Sequence, residues 1–129
     1  MKNNAPAWVA LAESDWLCIR NNLEASETPW NTVAFHAQQA AEKYLKALMI
    51  ANGTDPEKIH DLSALLKGCI EIAPSLVSLA ADCEDLTRFV IDGRYPGVDW
   101  TWEKRLALEA VAAADRICSA VRPLLQPKS

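Results

Sequence analysis

Residues 35 to 48 read Phe35-His-Ala-Gln-Gln-Ala-Ala-Glu-Lys-Tyr-Leu-Lys-Ala-Leu48. At a period of about 3.6 residues, Trp30, Val33, Ala37, Ala41, Tyr44 and Leu48 fall on one stripe, and Gln39, Glu42, Lys43 and Lys46 gather away from it. The spacing predicts an amphipathic helix. Ala34, Ala37, Ala40, Ala41 and Ala47 would let a second helix approach closely, which puts this helix in the middle of an all-helical bundle. The polar stripe has two readings. It is either a solvated face, with the Glu42 and Lys46 pair contributing a few tenths of a kcal/mol, or a face that binds something.

Working outward, Pro6 suits the first turn of a helix that runs to about Leu23, with Trp8, Leu11, Ala12, Ile19 and Leu23 as its apolar positions. Thr28 followed by Pro29 reads as a hydroxyl cap and a first helical residue, and Gly53 as the left-handed residue that closes the central helix. His60 and Asp61 open a third helix whose core face is Leu62, Leu65, Leu66, Cys69 and Ile70. Pro74 interrupts it or starts the next, which carries Leu76, Leu79, Cys83, Leu86 and Val90 and stops at Gly93 and Pro96. A last long helix, capped by Asp99 or Thr101, has Trp102, Leu106, Ala110, Val111, Ala114, Ile117, Val121 and Leu124 as its stripe. The expected fold is all-α, an up-and-down bundle of four to five helices, with residues 1–129 forming one domain. Among the five Trp residues, Trp16 and Trp100 fit no core stripe and are expected at the surface, where they would suit a partner.

Composition narrows the function classes. With 129 residues, half of them hydrophobic, one core is expected and no alternating β-branched run is present. Charges break every apolar stretch well short of the ~20 residues a membrane span requires, and Glu13 and Asp15 interrupt the first hydrophobic run, so the expected location is the cytoplasm. Cys18, Cys69, Cys83 and Cys118 are too far apart for a Cys-x-x-Cys motif and lie among apolar residues, as buried thiols would. No metal site or cofactor is expected. The net charge of −4 is uneven: residues 55–92 hold three basic and eight acidic side chains, and residues 93–129 hold six basic and four acidic. That balance argues against general coating of nucleic acid while leaving room for a local basic patch.

The segment from Arg88 to Trp100 joins two rigid helices, a good setting for a functional arginine. Arg94 offers a planar fork of donors to a phosphate, and Tyr95 could stack on a base. Equally, Arg94 could cap the preceding helix or pair with Asp92 or Asp99. His60 could be a nucleotide contact, or a capping and packing residue that fixes its loop against the central helix. His36 reads as half-buried and structural.

Three strings, Gln-Gln-Ala-Ala-Glu-Lys at residues 38–43, His60-Asp61-Leu62 and Arg94-Tyr95-Pro96, together resemble the HEPN domain family from about Trp8 to about Leu125. The resemblance implies a stand-alone prokaryotic helical protein, a homodimer paired with a small nucleotidyltransferase in a toxin-antitoxin-like system. Arg94, Tyr95, Lys43, Lys46 and His60 would then line a site for nucleotide or RNA phosphate. Active relatives look like metal-independent endoribonucleases with an Arg, four to six intervening residues, and a His. Arg94 matches the first position, but Asp99, Trp100 and Thr101 stand where the His should fall. General acid–base work on RNA needs a group that titrates near neutral pH, so a binding role is expected over catalysis, with Arg94 the candidate should the chain cut RNA. A purely structural interaction bundle is the third reading.

Overall fold

The structure, a computed structural model, describes residues 4–56, 59–92 and 103–125, without the side chains of residues 89–92 and 103. Arg94, Tyr95, Pro96, Asp99, Trp100, Thr101 and Trp102 therefore lie outside the described residues. Among the described residues five α-helices follow one another: α1 (Ala5–Leu23), α2 (Trp30–Ala51), α3 (Leu62–Ile72), α4 (Ala80–Asp92) and α5 (Glu103–Val121). Single 3-10 segments, Pro74–Leu79 and Arg122–Leu125, precede α4 and follow α5. Among the described residues there is no strand, and no helix is long and apolar enough to cross a membrane. The helical bundle is the one read from the periodicity, with the break falling at Pro74.

The helix ends have local causes. Asn4 accepts the Ala7 amide at 3.1 Å and starts α1. Gly53, at φ 82°, closes α2: its amide reaches Ile50 O at 3.1 Å and that of Thr54 reaches Met49 O at 3.0 Å, the paired bonds of a Schellman end. Asp61 accepts the Ser63 amide at 2.9 Å and caps α3. Pro74 has no amide to donate and forces Ala73 into an extended conformation, which ends that helix. Thr28 does not cap α2. Its hydroxyl instead donates to Asn22 O at 3.1 Å, tying the connection back to α1, and Asn31 takes up the Thr32 amide at 3.0 Å in the first turn of α2.

α2 is the hub, in contact with α1, α3, α4 and α5. Trp8 meets Lys46 while Asp15 meets His36 and Lys43, so α1 runs antiparallel to α2. Lys104 lies over Trp30 and Arg122 over Tyr44, so α5 runs parallel to it. The core joins Val33, Ala37, Ala41, Tyr44, Leu45 and Leu48 of α2 to Leu62, Leu65 and Cys69 of α3, Cys83 and Leu86 of α4, and Ala110, Ala114, Ile117 and Val121 of α5. The alanines expected to admit neighbours do so, with Ala37, Ala40, Ala41 and Ala47 fully enclosed.

Several positions depart from the periodic reading. Leu11 and Leu23 of α1 are exposed, and Asp15 takes a buried place on the inner stripe with Ala12 and Ile19. Leu124 is exposed, and Leu125 of the closing 3-10 turn packs against the core in its place. Trp16, expected at the surface, is half-buried against the core, and its indole nitrogen is buried without a hydrogen-bond partner among the described residues.

The thiols of Cys69, Cys83 and Cys118 are buried and free, and burial pushes each from 9.0 up to about 12. An unfolded chain loses these protons first, so their contribution is intact below about pH 9 and disappears as pH rises towards about 12. The unfolding free energy from urea titrations should therefore fall steeply above about pH 9, by up to about 1.4 kcal/mol per pH unit for each thiol. Cys69→Ala should flatten that slope, whatever it costs in stability at neutral pH.

Candidate functional site

The polar stripe of α2 is covered rather than solvated. Gln38, Glu42 and Lys46 stand four residues apart, one turn above another, and all three are buried, Glu42 at 4% and Lys46 at 3% exposure. Gln39 Nε2 donates to Gln38 Oε1 at 2.7 Å, and Gln38 Nε2 donates to Glu42 Oε1 at 3.1 Å. Lys46 Nζ lies 3.2 Å from Glu42 Oε2 and 5.4 Å from the centre of the Trp8 ring, so α1 supplies an aromatic cover for the ammonium. His60, in the loop that Asp61 terminates, brings Nδ1 to 3.1 Å from the same Oε2. Its side chain is 72% exposed and is the part of the network that reaches solvent.

Burial changes what the pair is worth. An exposed pair four apart contributes a few tenths of a kcal/mol, but a buried one must offset the loss of hydration, and does so only when its remaining lone pairs and protons are met. Glu42 meets that condition, with both oxygens occupied by Gln38, Lys46 and His60.

A second cluster lies on the α1 side. Asp15 Oδ1 is 2.7 Å from His36 Nδ1, and Oδ2 is 2.7 Å from Lys43 Nζ. This explains the buried acid on the inner stripe of α1: it is met by two groups from α2. His36 is half-buried, as its position suggested. Beyond it, Tyr44 donates to Glu13, Arg122 Nε donates to Tyr44 Oη at 3.1 Å, and Arg122 Nη2 reaches Glu13 Oε2 at 3.3 Å. These contacts clamp α1, α2 and the end of α5 together. Burial, reinforced by the Glu13 contact, raises the Tyr44 phenol from 10.0 to about 12, and the bond to Tyr44 raises the Arg122 guanidinium further.

Of the five residues expected at the site, His60 and Lys46 meet on Glu42, whereas Lys43 is half-buried and engaged with Asp15. Lys46 is enclosed and acts beneath the surface, through Glu42. Arg94 and Tyr95 lie outside the described residues. Sequence reasoning overlooked Asp15 and the burial of Gln38 and Glu42. The signals were a carboxylate at an inner position of α1, and the run Gln38, Glu42, Lys46 at one-turn spacing. Among the described residues no group of His, Cys, Asp and Glu could hold a metal ion.

Breaking the buried pair on one side strands a charge, at a cost of about 3–5 kcal/mol, while replacing both members with apolar residues of similar volume is nearly neutral. Glu42→Ala should accordingly lower the urea midpoint sharply, and Glu42→Leu with Lys46→Met should restore most of it.

Comparison with known proteins agrees with this architecture. No curated protein and no solved structure matches the chain. The family model for the HEPN domain matches residues 5–124, a span that begins at the first residue of α1 and ends just after α5. With nearly its whole length matched, the chain belongs to the HEPN domain family.

Proposed function

We propose that this protein binds nucleotide or RNA phosphate as a homodimer and acts with a small nucleotidyltransferase in a toxin-antitoxin-like pair. The observation that carries the reading is the buried Gln38, Glu42 and Lys46 network, which ends at solvent in one exposed imidazole, His60. A bundle needs no such network to fold, since apolar side chains of similar volume would serve. Membership of the HEPN family gives the nucleotide class its support. In this reading Arg94 holds a phosphate through its fork of donors, Tyr95 stacks on a base and His60 completes the site, while Lys43 stays engaged with Asp15. Lys46 stays beneath, holding Glu42. Catalysis is not part of the proposal, because Asp99, Trp100 and Thr101 occupy the places of the catalytic His.

The test uses a labelled mixed-sequence RNA in chelator, with the purified protein and its Arg94→Ala variant. Binding without cleavage is expected, weakened about tenfold or more in the variant, since a charge-assisted contact contributes about 1.5–3 kcal/mol. Elution of the wild type at twice the monomer mass, and capture of a nucleotidyltransferase from its native cells, should accompany it. Cleavage that disappears with Arg94 would instead establish a nuclease working without the usual His. A monomer with no affinity for RNA or ATP would overturn the reading.

A further inference from the structure

His60 is held at one ring nitrogen and open at the other. Its Nδ1 faces Glu42 Oε2 at 3.1 Å, and Nε2 has no protein partner among the described residues, on a side chain that is largely exposed. The rest of the network decides which way the hydrogen points. Gln38 spends its Oε1 on Gln39 and so turns its amide hydrogens to Glu42 Oε1, while Lys46 donates to Oε2. Glu42 is thus an acceptor at both oxygens, and His60 Nδ1 must supply the hydrogen it shares. In a neutral imidazole the other nitrogen then carries only a lone pair. The tautomer that predominates for histidine in water is the opposite one.

Nor can the carboxylate swing to relieve this arrangement. Glu42 and Lys46 are enclosed, with Trp8 over the ammonium. The comparable His36 also points Nδ1 at a carboxylate, Asp15, at 2.7 Å, but that ring is mostly covered. Only at His60 does the backed imidazole present its second nitrogen to a ligand.

We propose that Glu42 is a positioning residue that fixes His60 in its Nδ1–H form, so that Nε2 accepts a hydrogen bond from the ribose 2′-hydroxyl of the bound nucleotide. This rests on the nucleotide-binding reading above and adds the residue pair that would tell a ribose from a deoxyribose. A phosphate oxygen is itself an acceptor and gains nothing from a neutral Nε2. The 2′-hydroxyl is a donor that DNA lacks.

Two measurements test it. Long-range ¹⁵N–¹H spectra at about pH 8.5, well above the usual imidazole value, should show His60 with its hydrogen on Nδ1. The Glu42→Leu, Lys46→Met double variant removes the acceptor without stranding a charge, and in it the hydrogen should move to Nε2. Fluorescence anisotropy at the same pH should then find a single-stranded RNA bound about three- to tenfold more tightly than its 2′-deoxy and 2′-O-methyl counterparts, neither of which can donate there. In His60→Ala the RNA affinity should fall towards that of the other two. Hydrogen on Nε2 in the wild type, or equal affinity for all three strands, overturns this inference and leaves the nucleotide-binding reading standing. No binding of any strand overturns both.

Discussion

Putting α2 at the centre of the bundle obliges the protein to bury the polar side of an amphipathic helix. α1 covers that side, and the loop before α3 reaches over it, so Glu42 and Lys46 lose most of their contact with water. Two charges taken out of water cost several kcal/mol each unless their hydrogen-bonding capacity is met. Much of the surrounding structure is what meets it: Gln38 and Gln39 lined up on one turn, Trp8 over the ammonium, and His60 drawn in from the connecting loop. Asp15, with His36 and Lys43, solves the same problem on the neighbouring face.

These networks tie together parts of the chain that are distant in sequence. Glu13 and Arg122 meet across Tyr44, bringing α1 and the end of α5 onto the same turn of α2. Asp82 and Arg116 form a two-point contact, with bonds of 3.0 and 2.8 Å, between α4 and α5. That second contact is exposed and contributes little more than orientation. The contacts on α2 are sheltered, so each is both stronger and less tolerant of losing one partner. Apolar packing supplies cohesion, and the polar contacts restrict how α1 and the His60 loop can sit on α2.

The functional consequence follows from where the network ends. Of the groups gathered on Glu42, only His60 stands in water, and the buried members determine how its ring is presented. A surface histidine without such backing would rotate and exchange tautomers freely. In the proposed reading this imidazole is a fixed hydrogen-bond acceptor, and Asp99, Trp100 and Thr101 stand where a His spaced from Arg94 would be needed for proton transfer.

Helix positions, the closing Gly53, the start of α3 at His60 and Asp61, the break at Pro74 and the burial of Cys69, Cys83 and Cys118 were all legible in the sequence, and so was the family. They depend on neighbours three or four residues apart, on residues with distinctive backbone preferences, or on short strings. Which way α2's polar face would turn was not legible, because a period of 3.6 identifies a polar face without saying what covers it. Leu11 and Asp15 show the same limit from α1: by residue type the leucine belongs inside and the aspartate outside, and the structure places them the other way round. An apolar residue loses little by staying in water, whereas a carboxylate can be enclosed only where partners from another helix wait for it. The sequence by itself thus determined the helices, their order and the apolar seam. Tertiary structure alone decided which charges are buried and that His60 joins Glu42, since those outcomes depend on groups 18 or more residues apart coming within hydrogen-bond distance.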